Sequence, residues 1–125
     1  MTMKDNPQII FQRLKSILLP YAAPLVVTID EAEHYSLDAP PSVQRKQALF
    51  FGAVMVKKNY VSFHLMAVYV FPDLLEAVSP ALKKRMQGKS CFNFTSLDET
   101  LLIELTGLAQ KGFERYRQAG YLPGD

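Results

Sequence analysis

The chain has 125 residues, 49% of them apolar and 21% charged, a globular composition that excludes an intrinsically disordered chain. Its formal net charge of +2 excludes a strong field over the whole surface, so we do not expect nucleic acid as a partner. Its one cysteine excludes an internal disulfide and a cysteine-based zinc cluster. We predict a single domain over residues 1–125 of a soluble, cytoplasmic protein, with no signal peptide and no membrane segment.

The N-terminal third predicts a helix followed by strands. Asn6 and Pro7 suit the N-cap and first turn of a helix, after which apolar residues recur at helical spacing until Pro20. The β-branched run at residues 25–29 predicts a short strand. Residues 30–38 carry four acids and no base, which predicts an acidic turn leading into a second strand.

The middle of the chain predicts an antiparallel hairpin. Residues 48–56 and 60–71 are rich in Val, Phe and Tyr, and the basic tripeptide Lys57-Lys58-Asn59 separates them. Pro72 ends the second predicted strand and opens a short helix. Ser79 and Pro80 predict the cap of another helix that runs to Met86, with Gly88 as its C-terminal stop.

The C-terminal part predicts a strand and a long helix. Residues 91–94 form the strand, and Ser96 and Glu99 have capping-box spacing before an apolar stripe that ends near Gly120. Gly107 and Gly112 weaken this helix by about 1 kcal/mol each relative to alanine, unless a close neighbour needs them. The fold class is therefore α+β, with an antiparallel sheet built around a central hairpin and packed against an N-terminal and a C-terminal helix.

One polar face of the predicted sheet is the candidate site. Strand alternation places polar residues of the hairpin on the face opposite Val61, Phe63 and Leu65. In the strand at residues 91–94, it likewise places Cys91 and Asn93 on the face opposite Phe92 and Phe94. Seven residues belong to this face: Lys58, Tyr60, Ser62, His64, Lys89, Cys91 and Asn93. Arg85 is expected to lie nearby and is the eighth candidate ligand-binding residue. We expect them to hold a small polar or anionic ligand and expect no cofactor, because no phosphate-binding loop is present.

Three alternatives stay open. A metal-handling protein would use the cluster of Asp30, Glu31, Glu33 and His34, which has oxygen and imidazole donors but no recognisable metal-loop spacing. An enzyme would use Cys91 as nucleophile and His64 as base, although no catalytic signature is present, so we favour binding over catalysis. A protein-interaction module would use exposed strand edges and the basic helix.

The hairpin and the segment after it resemble the YdhG-like family of small bacterial proteins. The resemblance is carried by residues 58–66 (KNYVSFHLM), by Ser79-Pro80 and by residues 82–94 (LKKRMQGKSCFNF). It covers the central third closely and most of the chain loosely. This chain has Ala67 where family members often have proline.

The resemblance implies a fold rather than a function. The family is similar to a wider group with a frataxin-like sandwich of helices against an antiparallel sheet, in which some members carry an iron-chaperone label. Frataxins have an acidic first helix, whereas residues 7–20 here contain Arg13 and Lys15 and no acid. Iron binding is therefore not carried over from the resemblance.

Overall fold

A six-stranded antiparallel sheet forms one layer of the computed structural model, which describes residues 3–122. Its strand order is β1-β2-β3-β4-β6-β5, so β6 lies between β4 and β5. The strands are β1 (Val26–Glu31), β2 (His34–Ala39), β3 (Leu49–Val56), β4 (Val61–Leu65), β5 (Met86–Gln87) and β6 (Cys91–Phe94). The helices are α1 (Pro7–Leu18), α2 (Ala67–Val70), α3 (Pro80–Lys83) and α4 (Glu99–Gln118), with single 3₁₀ turns at Leu19–Tyr21 and Pro72–Leu75.

Helices α1 and α4 pack together, and α1 lies on the sheet against β3 and β4. Asn6 caps α1 as predicted, because its side chain accepts a hydrogen bond from the amide of Gln8. Phe11 of α1, Phe63 of β4 and Leu105 of α4 are fully buried in one continuous apolar cluster. The α+β prediction, with a central hairpin between an N-terminal and a C-terminal helix, is confirmed.

A bulge in β3 orients two neighbouring aromatic side chains. Leu37 of β2 pairs with Gly52, whereas the next residue, Asp38, pairs with Phe50, so Phe51 is the extra residue. The Phe51 ring is fully buried beside rings that belong to the helical layer. The Phe50 ring lies 4.9 Å from the ring of His64 on β4.

The second strand of the predicted hairpin is shorter than its sequence indicated. It ends at Leu65, and the apolar residues that follow form α2 instead of continuing the strand. The reason is tertiary packing: a Cβ built on Gly112 of α4 would lie 2.8 Å from Cβ of Ala67, so α2 and α4 approach very closely. A uniformly apolar run does not distinguish a strand from a buried helical turn.

The basic segment after Ser79 also differs from its prediction. Helix α3 ends at Lys83 and does not reach Met86, which belongs to strand β5. Gly88 has φ of 77° and lies in the turn between β5 and β6, so it is a hairpin glycine and not the C-terminal stop of a helix. Residues 84 and 85 therefore lie in a turn at the sheet edge.

Two smaller predictions are corrected. The cap of α4 is Asp98, whose carboxylate accepts from the amide of Leu101, and Ser96 has no role in it. The acidic stretch is mostly strand, because β1 continues through Glu31 and β2 begins at His34, leaving a turn of only two residues. Within residues 3–122, no helix has the length and apolar character needed to cross a membrane.

Candidate functional site

Four of the candidate residues lie next to one another on β4 and β6. These strands pair antiparallel, and the register places Ser62 opposite Asn93 and His64 opposite Cys91. Residues directly opposite in such a pair have side chains on the same face of the sheet. We call these four residues the polar face. Ser62 is only 5% exposed, so this part of the face is too enclosed to contact a ligand directly.

His64 has a specific partner that the sequence did not predict. Its Nε2 atom lies 2.6 Å from Oγ of Ser90, a buried residue in the turn before β6. Burial lowers the pKa of His64, which favours the neutral imidazole in this hydrogen bond. Among residues 3–122, no hydrogen bond joins His64 to Cys91, so the thiol and base pair required by the enzyme alternative is not formed.

The half-buried His64 predicts a stability that falls at acidic pH. Its pKa in the folded state lies below the usual value of 6.5, so the unfolded chain binds the proton first as pH falls. The free energy of unfolding should therefore decrease as pH falls through this value towards the lower folded pKa. Urea unfolding at a series of pH values checks this, with His64→Gln expected to flatten that part of the profile. An unchanged profile in the variant would contradict it.

A concave pocket opens beside the polar face, next to the β3–β4 turn and the first residues of β4. Its volume is about 470 Å³. We call it the basic pocket, and its lining residues are Asn59, Tyr60, Lys84, Arg85, Met86, Gln87, Asn93 and Thr95. Three of them, Tyr60, Arg85 and Asn93, were candidates from the sequence. Lys84 and Gln87 were not among the candidate ligand-binding residues, although the sequence already shows Lys84 within a basic cluster with Lys83, Arg85 and Lys89.

The basic pocket carries positive charge without a compensating acid. Neither Lys84 nor Arg85 lies within ion-pair distance of a carboxylate in the part of the chain that the structure describes. The sequence explains why, since no acid occurs between Glu76 and Asp98. By contrast, the surface cavity along α4 contains Glu114 as well as cations, one of which, Arg115, is paired with an acid.

Two amide side chains form one wall of the basic pocket. Nδ2 of Asn93 donates a 2.7 Å hydrogen bond to Oε1 of Gln87, across the β5–β6 pair. Oδ1 of Asn93 is buried and has no partner among residues 3–122, which leaves a polar atom unsatisfied. The backbone amide of Asn93 donates to the carbonyl of Arg85 at 2.8 Å, so the turn that carries the two cations is fixed to β6.

The structure does not bring all eight candidate residues into one site. Lys58 is exposed in the β3–β4 turn and does not line the basic pocket. Lys89 lines a different cavity, where its Nζ lies 5.9 Å from the ring centre of Tyr69. The reason is the β5–β6 turn at Gly88: Arg85 precedes this turn and lines the basic pocket, whereas Lys89 follows Gly88 and lies outside that pocket.

The acidic residues considered for metal binding are spread over both faces of the β1–β2 hairpin. Asp30 is directed towards α1, where its carboxylate lies 3.2 Å from Nζ of Lys15. Glu31 pairs with His34 at the end of the hairpin. Because Glu31 follows Asp30 directly in the strand, its side chain is on the opposite face of the sheet. Within residues 3–122, no group of three or more His, Cys, Asp or Glu side chains is arranged to hold a metal ion.

A scan of protein-family models and searches of curated proteins and of solved structures each give no match to this chain.

Proposed function

We propose that this chain is a binding domain for a small anionic ligand, which occupies the basic pocket. The observation that carries the proposal is a concave pocket lined by two cations, Lys84 and Arg85, that have no ion-pair partner and meet no acid in the lining within residues 3–122. Two like charges next to each other are unfavourable unless water or an anion screens them. An anion in the pocket would reduce the repulsion between Lys84 and Arg85 and would be attracted by both side chains.

The lining residues also indicate which features the ligand has. A guanidinium such as that of Arg85 forms two parallel hydrogen bonds with a carboxylate or phosphate, and Lys84 adds a compact charge. Asn93 and Gln87 can turn over together and keep their mutual bond, and in either arrangement the pair has one free amide oxygen and one free amide nitrogen. A carboxylate or phosphate that also carries a hydroxyl or N–H group fits these partners.

Binding fits this pocket better than catalysis does. Its lining residues include no carboxylate, histidine or cysteine, which are the side chains that most often transfer protons or attack substrates. The backbone hydrogen bond between Asn93 and Arg85 fixes the basic turn before any ligand arrives. A fixed turn lowers the entropy lost on binding.

Replacing Arg85 should remove most of the affinity. With inorganic phosphate and citrate as probes, we expect the melting temperature of the protein to rise with ligand concentration, because both would bind only the folded state. Arg85→Gln should raise the dissociation constant by about tenfold or more, since a charged hydrogen bond contributes about 1.5–3 kcal/mol. Thermal shift and calorimetric titration measure these two quantities.

The matched control is Lys83→Gln, which removes one positive charge from the residue next to Lys84 but outside the pocket lining. It should change the affinity far less than Arg85→Gln. Equal losses in the two variants would show that only the general positive field attracts the anions. That result, or the absence of any stabilisation by either probe, would reject the proposed site.

A further inference from the structure

A second cavity adjoins the short edge strand β5. Its volume is about 620 Å³, and its lining residues are Val68, Tyr69, Pro72, Leu75, Met86, Gly88 and Lys89. We call it the apolar cavity, because five of these seven residues have apolar or aromatic side chains and only Lys89 is charged. Met86 lines both this cavity and the basic pocket.

We infer that the ligand is an amphipathic anion, whose charged head binds in the basic pocket and whose alkyl or aromatic arm passes Met86 into the apolar cavity. This inference rests on the proposed function and specifies its ligand class. Each cavity has the size of a small-molecule site. Because Met86 belongs to both walls, the two cavities are neighbours, and a ligand in the basic pocket has the apolar cavity within reach.

The surroundings of Met86 favour this assignment. Strand β5 is only two residues long and forms the edge of the sheet, so Met86 is half-buried and has no strand outside it. A methionine side chain is unbranched and flexible, which suits a boundary that an apolar arm must pass. Tyr69, in the lining of the apolar cavity, is 55% exposed, so its ring is accessible to a bound arm.

Charge argues against a cationic or zwitterionic ligand. Lys89 places its ammonium above the Tyr69 ring, so the rim of the apolar cavity is positive like the basic pocket. Among the residues that the structure describes, no acid lines either cavity. An anion with an apolar arm meets positive charge at both ends of the site and apolar surface between them, whereas an apolar cation would be repelled at each rim.

The test compares methyl phosphate with hexyl phosphate by calorimetric titration of the whole chain. Hexyl phosphate should bind at least about tenfold more tightly, which requires only part of its additional methylene groups to leave water. Tyr69→Ser should reduce this gain and leave the affinity for methyl phosphate unchanged. Because Tyr69 is mostly exposed, the variant should keep the melting temperature of the parent, and Leu75→Ser offers a second substitution in the same lining.

The outcomes separate this inference from the proposed function. If methyl phosphate binds in an Arg85-dependent manner but hexyl phosphate binds no more tightly, the amphipathic ligand class is overturned and the anion site is retained. A hexyl gain that survives both Tyr69→Ser and Leu75→Ser would also overturn it, because the arm would lie elsewhere. If neither phosphate binds, both the site and the ligand class are rejected.

Discussion

Replacing Phe51 by alanine is expected to lower the free energy of unfolding by about 3–5 kcal/mol, the usual range for a buried phenylalanine. The Phe51 side chain is fully buried, and its ring centre lies 5.7 Å from that of Tyr21, 5.3 Å from that of Tyr116 and 6.0 Å from that of Phe113. Alanine would leave a cavity between the sheet and the cluster of Tyr21, Phe113 and Tyr116. For a domain of this size such a loss is a large part of the total stability.

The neighbouring Phe50 is the matched control. It is only half-buried, and its ring meets the edge of His64 on the other face of β4. Phe50→Ala should therefore lower the free energy of unfolding by only about 1–2 kcal/mol, the scale of one aromatic pair with partial burial. Urea unfolding of both variants provides the comparison. Equal losses, or a larger loss at Phe50, would contradict the bulge that directs the two rings to different sides.

Alanine at the two helix glycines should have opposite effects. At Gly112 a Cβ would lie 2.8 Å from Cβ of Ala67, so α2 must move, and we expect Gly112→Ala to destabilise the protein by about 1–3 kcal/mol. At Gly107 an added Cβ meets no other atom within 4 Å. Gly107→Ala should therefore stabilise the protein by up to about 1 kcal/mol through helix propensity.

Thermal unfolding of the two single variants measures this difference directly. Both substitutions add the same methyl group to the same helix, so the intrinsic helix propensity cancels in the comparison and only the contact with α2 remains. Stabilisation by both would show that α2 does not pack closely against α4. Destabilisation by both would show that Gly107 also has a neighbour that needs the space.

The sequence predicted those parts of the fold that local chemistry determines. The cap at Asn6, the first strand of the hairpin and the strand at residues 91–94 depend on side chains close in sequence, and all three are found. The end of β4 was not predictable in this way. The helical turn that begins at Ala67 packs closely against Gly112, which is forty-five positions later in the sequence. The start of β5 likewise depends on pairing with β6.

The candidate site shows the same division. Strand alternation correctly predicted that Ser62, His64, Cys91 and Asn93 would share one face, since alternation is a property of the backbone itself. It did not place Ser90 against His64, because Ser90 lies in a turn where alternation does not apply. It also missed Lys84, whose position in the basic pocket follows from the early end of α3.

An anion bound at the turn of Lys84 and Arg85 should change the surroundings of the backbone amides next to it. Amide NMR of the labelled protein titrated with inorganic phosphate tests this most directly, because each backbone amide reports on its own surroundings. We predict saturable shifts concentrated at residues 84–87 and 93–95, and their loss in Arg85→Gln. Shifts that are absent, that do not saturate, or that concentrate around Lys111 and Arg115 on α4 would contradict binding at this turn.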